Sequence, residues 1–262
     1  MPEYCVTGGT GLIAAYLVKS LLERGHTVRT TARDPGDTNK VGFLWEMSGA
    51  KERLKIMKAD LMVEGSFDEA IQGADGANLV DPCIKGTLNV LRSCSKARSV
   101  NRVVLTSSTS AIRYHHNVQQ TIPLTESDWS DLEYCKQHNL WYAYAKTVAE
   151  KEAWRVAGEN GIDLVVINPS FVIGPLLAPQ PTSSLLLLLA IVKGLSGEYP
   201  NTTMGFVHID DVVATHILAM EERKASGRLI CSSSVAHWSQ IIEMLKAKYP
   251  CYPFENKKGP IV

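Results

Sequence analysis

Tyr142 and Lys146 stand four residues apart in the run Trp-Tyr-Ala-Tyr-Ala-Lys at 141–146. Four residues is about one helical turn, so on a helix both side chains project from one face. Of the nine tyrosines, only Tyr142 has a lysine at that distance. A phenol carries a transferable proton, but its ordinary pKa of about 10 leaves little phenolate at neutral pH. A neighbouring ammonium favours the phenolate and brings that pKa down. The pair can therefore protonate an oxygen on which negative charge develops, such as the alkoxide left when hydride reaches a carbonyl carbon. A hydroxyl beside the same oxygen adds a hydrogen bond that strengthens as the charge forms. Ser108 is the candidate, within Ser107-Ser108-Thr109-Ser110, and Ser107 is its alternative. The plainer readings are a chance pair on a helix surface and a serine-rich turn.

Hydride needs a carrier, and the first residues supply a place for one. Thr7-Gly8-Gly9-Thr10-Gly11-Leu12-Ile13-Ala14 follows the apolar run Tyr4 to Val6 and leads into apolar residues at helical spacing. Strand, glycine turn and helix follow in that order. Glycine lets backbone approach a ligand closely, and a helix start presents unpaired N–H groups and partial positive charge, which suits a pyrophosphate. After Gly25, Thr27 to Thr31 reads as a second strand, completing a βαβ unit. An acid near its end would hold a ribose 2′-OH, whereas an arginine suits a 2′-phosphate. The chain has Thr31-Ala32-Arg33 there, which favours NADP over NAD, and Lys40 on the next helix adds a second cation. Arg33 as a merely solvated loop charge is the alternative.

The elements that must position these groups follow an α/β rhythm. Leu54 to Ala59 reads as a third strand ending in Asp60-Leu61, where a carboxylate and backbone can meet an adenine edge; Asp60 can equally cap the turn. Ser66 and Glu69 have the spacing of a capping box opening a short helix through Ile71. The rhythm then breaks. Ala77-Asn78-Leu79-Val80 gives no convincing strand before a helix from Cys83 to Ala97, although the fold needs a fourth strand beside the first. The expectation is that the sequence skips residues near Gly76-Ala77. Arg102 to Thr106 is a strand ending in the serine cluster, and a loop runs from Ile112 to about Asn139. A helix covers Trp141 to Ala157, a strand Ile162 to Asn168, and a rigid loop Pro169 to Pro175. Beyond Leu176 the character shifts, with a leucine run at 185–192 read as a buried helix or pocket wall. A helix from Val212 to Met220 follows. The fold class is α/β, a doubly wound parallel sheet with a small C-terminal substrate lobe. Residues 1–175 form the dinucleotide-binding part and 176–262 mainly the lobe, interleaved with late sheet elements.

Composition bounds the rest. The 262 residues can bury a large core. The 27 basic and 27 acidic residues cancel, which argues against a nucleic-acid partner, and no block of like charge points to a membrane surface. The leucine run is much shorter than the roughly 20 residues that cross a bilayer, and no targeting segment is read. The six cysteines are scattered, as reduced thiols in a cytoplasmic protein are. Clustered Cys and His ligands for zinc are absent, and His208, His237 and the His115-His116 pair read as structural or surface residues. The expected partner is a small-molecule carbonyl substrate, and the expected state a monomer or weak dimer.

With glycine loop, strand-end serine and Tyr-Lys pair in order, the chain resembles the extended short-chain dehydrogenase/reductase superfamily, a Rossmann fold. Thr7 to Ala14, Thr30 to Arg33, Asp81 to Thr87, Trp141 to Lys146 and Asn168 to Pro175 are similar to the plant dihydroflavonol reductase and cinnamoyl-CoA reductase group. Gly205 to Asp211 and Ser234 to Trp238 look most like its short-chain cinnamyl alcohol dehydrogenases and tetraketide α-pyrone reductases. The resemblance implies an NADPH-dependent reductase, foremost of hydroxycinnamyl aldehydes in phenylpropanoid and lignin metabolism. A tetraketide α-pyrone or a cinnamoyl-CoA thioester is the alternative substrate, and a sugar-nucleotide epimerase or a non-catalytic NADP sensor is more remote. The resemblance assigns catalysis to Ser108, Tyr142 and Lys146, with Tyr142 and Lys146 also against the cofactor. It assigns cofactor contacts to Gly8, Gly9, Thr10, Gly11, Leu12, Ile13, Ala14, Arg33, Lys40, Asp60 and Leu61, with Pro169, Ser170 and Val172 pressing on the nicotinamide. It also implies a strand and small-residue loop near Gly76-Ala77, and a continuation past Val262.

Removing the Arg33 side chain should weaken NADPH binding by roughly 1.5 to 3 kcal/mol, the worth of a charge-assisted hydrogen bond, and NADH binding far less. Titration of the Arg33→Ala variant with both cofactors checks this, and equal losses would make Arg33 structural.

Overall fold

The computed structural model describes residues 2–79, 84–116 and 123–260. Ten strands and ten helices are described: β1 Glu3–Val6, α1 Leu12–Glu23, β2 Thr27–Ala32, α2 Thr38–Trp45, α3 Ala50–Arg53, β3 Leu54–Lys58, α4 Asp68–Ile71, β4 Gly76–Leu79, α5 Ile84–Lys96 and β5 Arg102–Thr106. After a 3-10 turn at Thr109–Ala111 come α6 Leu132–Gln137, α7 Trp141–Asn160, β6 Leu164–Pro169, β7 Phe171–Ile173, α8 Ser183–Val192, β8 Thr203–His208, α9 Ile209–Glu221, β9 Gly227–Cys231, β10 Ser234–His237 and α10 Trp238–Lys248.

Seven strands form one parallel sheet in the order β3-β2-β1-β4-β5-β6-β9. Its central strands β5 and β6 read as near-continuous apolar runs because both faces are covered. Leu17, Leu21 and Leu22 of α1 meet Ile209, Val213 and Ile217 of α9 on one face. Val90, Leu91 and Cys94 of α5 meet Ala153, Val156 and Ala157 of α7 on the other. Strand order reverses between β1 and β4, and in such sheets ligands bind outside the carboxyl ends of the strands at that point. A smaller sheet, β10-β8-β7, packs Phe171 and Phe206 around the buried Trp238. The chain crosses between the sheets: β7 lies before residue 175 yet joins the small sheet, while β9 returns to the large one.

Where the rhythm breaks, the described residues still supply a short fourth strand. Gly76–Leu79 pairs in parallel with β1 (Cys5 opposite Ala77) and with β5 (Leu79 opposite Leu105). Gly-Ala-Asn-Leu has little strand propensity of its own, but a segment flanked on both edges is ordered by its backbone hydrogen bonds. The expected Asp81-Pro82-Cys83 start of the next helix lies outside the described residues.

Four expectations are corrected. Ser66 caps no helix: its hydroxyl donates to the Asp60 carbonyl at 2.7 Å and accepts from the Asp60 N–H, and α4 starts later without a side-chain cap. The loop after Ile112 contains α6, whose N-cap Asp131 accepts from the N–H groups of Glu133 and Tyr134. The loop after Pro169 contains β7. The leucine run is α8, which buries Ile191 but leaves Leu186 and Leu189 exposed. Among the described residues no helix is long and apolar enough to cross a membrane, and the five described cysteines are free.

His216 of α9 lies fully buried under the carboxyl end of β5. Its ring nitrogens meet Thr106 Oγ1 at 2.8 Å and the Val212 carbonyl at 2.7 Å. Burial, only partly opposed by that carbonyl, pushes its pKa down from 6.5 to about 4. Between those values the unfolded chain binds the proton and the folded chain does not, so this contribution is complete above pH 6.5 and is lost as pH falls. The loss amounts to at most about 1.4 kcal/mol per pH unit. Urea unfolding should therefore show wild-type stability dropping more steeply from pH 7 to pH 5 than that of His216→Gln. Parallel profiles would remove His216 as the cause.

Candidate active site

The glycine turn after β1 is shaped for a bound anion. Gly8 has φ 69°, a left-handed conformation that a Cβ disfavours. A Cβ on Gly9 would lie 2.2 Å from Thr30 Oγ1, so only glycine lets the turn sit against β2. The N–H groups of Gly8 and Gly9 are tied to Thr31, while Thr30 Oγ1 donates to the Val6 carbonyl at 2.8 Å. Gly11 occupies the N-cap of α1 with no side-chain cap, leaving the first-turn N–H groups open at the positive end of the dipole. Leu12 and Ala14 are buried, so what they present to a ligand is backbone.

At the end of β2, Arg33 is exposed and joins no ion pair among the described residues. The neighbouring Asp34 is occupied, its Oδ1 accepting from the Gly36 N–H at 2.9 Å. Lys40 pairs with Asp37 at 2.8 Å, which leaves it a weaker cation for a ligand than Arg33. Asp60 accepts from the Met62 N–H at 2.8 Å, the turn-capping alternative of its two readings. Leu61 packs on α5, with its carbonyl accepting from Asn89 and its side chain where a Cβ on Gly86 would clash.

The catalytic candidates sit on β5, its following turn and α7. The two serines are now distinguished. Ser107 is buried and donates to Glu150 Oε2 at 2.5 Å, whereas Ser108 is half-exposed, and its Oγ accepts from the Ser110 N–H at the start of the 3-10 turn. Helix α7 packs against that turn. Tyr142 is 61% exposed and Lys146 only 7%, with the Lys146 ammonium 5.7 Å from the centre of the Tyr142 ring. Alanines at 143, 149 and 153 give α7 a small buried face for close approach, and Gly161, at φ 65°, ends the helix.

Sequence reasoning missed the polar cluster beneath these groups. Glu150, one turn beyond Lys146, is fully buried and pairs with Arg228 Nε of β9 at 2.5 Å. Its Oε2 also accepts from Asn168 Nδ2 at 2.9 Å, and the same amide nitrogen reaches the Ser108 carbonyl at 3.1 Å. Arg228 Nη1 donates to the carbonyls of Glu126 and Asp128, and its guanidinium lies 3.7 Å over the Trp129 ring. The i+4 spacing from Lys146 was the available signal for Glu150. Arg228 had none, since β9 was not read as a strand.

Beyond the serines opens a cavity of about 760 Å³, bounded by Thr109, Arg113, Tyr134, Ser170, Gly205 and Ser232 among others. His115 and His116, expected to be structural or surface residues, line it. His208 and His237 do cap α9 and α10. Of the expected nicotinamide contacts, Pro169 ends β6, Val172 packs into the core, and Ser170 faces the cavity with a buried, unpartnered hydroxyl.

Residues 4–230 match the family described as NAD dependent epimerase/dehydratase. The chain is 65% identical over 275 positions to tetraketide alpha-pyrone reductase 2 of Arabidopsis thaliana, covering 98% of this chain and 86% of that one. That pairing is longer than the 262 residues here, so the relative carries residues with no counterpart in this chain. Among solved structures, vestitone reductase from alfalfa superposes with a TM-score of 0.85 at 35% identity, over 97% of this chain and 84% of that chain. Gre2 from Candida albicans, solved in complex with NADPH, gives 0.84 at 25%, over 99% and 86%.

Removing one partner of a buried ion pair strands the other charge, at a cost of about 3–5 kcal/mol. Glu150→Ala and Arg228→Ala should each show a loss of that order in urea unfolding, with the double variant losing clearly less than their sum. Strict additivity would mean that the two charges are not coupled.

Proposed function

Because the chain belongs to the NAD dependent epimerase/dehydratase family and has the reductase relatives described above, we propose that it is an NADPH-dependent carbonyl reductase whose substrate is a tetraketide α-pyrone. The observation that carries the reductase reading is the placing of Tyr142, Lys146 and Ser108. A phenol open to solvent stands one turn from a buried ammonium, on the helix that packs against the serine's turn. The cofactor fits the residues present: the Gly9 cradle that a Cβ would fill, the uncapped start of α1, and an exposed Arg33 beside an Asp34 that is already hydrogen-bonded. When bound, NADPH supplies the hydride.

The chain's own residues handle the oxygen. Ser108 donates a hydrogen bond to the substrate carbonyl, and that bond strengthens as negative charge gathers there. Tyr142 delivers the proton, and the Lys146 ammonium stabilises the phenolate that remains. Lys146 would also hold the nicotinamide ribose, and Ser170 with Pro169 and Val172 would close the nicotinamide side. Asn168 and Glu150 keep the Ser107-Ser108 segment against α7 while this occurs.

The 65% identity to a tetraketide alpha-pyrone reductase favours a pyrone over the hydroxycinnamyl aldehyde that the sequence features put first. Chemistry favours it too. Closing a four-unit polyketide into a 2-pyrone leaves one ketone on the side chain, and the cavity offers hydroxyls from Ser170, Thr202, Thr203 and Ser232 rather than a purely apolar slot. A cytosolic setting accords with the free thiols.

Two measurements test the reading. Tyr142→Phe should bind NADPH as wild type does and lose at least about 100-fold in kcat, the scale of general acid catalysis. Near wild-type kcat in that variant would sink the mechanism. NADPH oxidation with a tetraketide pyrone, coniferaldehyde and a cinnamoyl-CoA thioester should give the highest kcat/KM for the pyrone, and a preference for either of the others replaces the substrate assigned here.

A further inference from the structure

The cavity beside Ser108 is electrostatically one-sided. Arg113 follows the 3-10 turn that Ser108 caps, with its guanidinium 4.8 Å from the Tyr114 ring, and it forms no ion pair among the described residues. His115 also lines the cavity, with its Nε2 buried in the wall and without a hydrogen-bond partner among the described residues. His116 and His138 flank the Tyr134 ring, at 5.0 and 4.2 Å between ring centres. Among the described residues no aspartate or glutamate lines the cavity. Asp131, at the start of α6, is occupied by the N–H groups of Glu133 and Tyr134. In a protein with 27 basic and 27 acidic residues this is a local design, not an overspill of net charge. An arginine without an ion pair, lining a cavity that has no carboxylate among its described lining residues, suits an oxyanion.

We propose that this wall recognises a delocalised oxyanion of the substrate, the 4-oxygen of a hydroxy-2-pyrone ring, with Arg113 as its charge partner. This rests on the reductase reading above and adds the group by which the substrate is selected. A 4-hydroxyl on a 2-pyrone is a vinylogous carboxylic acid, ionised at neutral pH, with its charge shared between ring oxygens. The planar guanidinium matches such a shared charge, and the flat ring can lie against the Tyr134–His138 wall. The ketone lies on the side chain, so anchoring the ring oxygen by Arg113 leaves the carbonyl to extend toward Thr109, the lining residue next to Ser108. A phosphate of a coenzyme A thioester would offer the same charge, and the test separates the two sources.

Binding to the full chain, saturated with NADP⁺ so that nothing turns over, is measured for 4-hydroxy-6-methyl-2-pyrone and for its neutral 4-O-methyl ether. The hydroxypyrone should bind at least tenfold more tightly than the ether. That ratio should collapse toward one in Arg113→Met and be partly retained in Arg113→Lys. Equal affinities in wild type, no measurable binding of the hydroxypyrone, or a ratio that survives in Arg113→Met would each overturn the proposal. Coenzyme A and pantetheine form a second pair. An Arg113-dependent preference for coenzyme A without one for the hydroxypyrone assigns the charge to phosphate and overturns the ring-oxygen assignment. NADPH oxidation is read separately. Selective binding without any oxidation of NADPH by a tetraketide pyrone fails the reductase reading and leaves the oxyanion site standing; oxidation without selectivity does the reverse.

Discussion

The contact between Glu150 and Arg228 is the constraint on which the active-site geometry depends. A carboxylate with no exposed surface is tolerable only when its acceptor sites are met, and here the donors come from three different strands or strand ends: Arg228 on β9, Ser107 after β5 and Asn168 on β6. The fourth element is α7 itself. Apolar packing alone would hold α7 weakly in register, because its buried face is a stripe of alanines with few protrusions to lock against a neighbour. Directional bonds to one carboxylate remove that freedom. They fix where Tyr142 and Lys146 stand relative to Ser108, whose own carbonyl is held by the Asn168 amide.

The other end of the crevice is built on a different principle. At the glycine turn the chain presents backbone, with Leu12 and Ala14 buried behind it and the helix start uncapped. Backbone N–H groups recognise phosphate in any dinucleotide, so this part cannot choose between cofactors. In the function proposed, choice falls to Arg33 at the tip of β2, where Asp34 has already been drawn into a turn with Gly36. Rigid, unselective binding at the sheet centre and selective contact at an exposed edge follow from where a doubly wound sheet ends its strands.

How much of this was legible depended on whether the signal was local. The βαβ unit, β5 and α7 could be read because each is long enough to show its period, and the Tyr142–Lys146 pair because four residues is one turn. Strand β4 could not, since Gly-Ala-Asn-Leu is ordered by the strands on either side and not by its own side chains. Asp60 had two readings that sequence could not separate, and in the fold one of its carboxylate oxygens accepts from the Met62 N–H. The choice between Ser107 and Ser108 needed Glu150, which lies 43 residues beyond Ser107. Arg228 lies 78 residues beyond Glu150, and charge pairing at that separation leaves no local trace. The cavity's cationic wall was hidden for the same reason: it joins the residues after Ser108 to α6, a helix whose capping signal at Asp131 had been overlooked.

Helix α7 also grades its chemistry by depth. Tyr142 is 61% exposed, Lys146 7% and Glu150 1%, at intervals of one turn, so one helix face carries a phenol, an ammonium and a carboxylate from solvent into the core. Such a row would work against itself if the carboxylate were unpaired, because a buried anion one turn away would draw the ammonium from the phenol. Arg228 prevents this. It neutralises Glu150 from the far side, against the Trp129 ring and the carbonyls of Glu126 and Asp128, which in the mechanism proposed leaves Lys146 to act on Tyr142. The deepest ion pair of the site touches no substrate, yet it determines which way the charge of the middle residue is directed.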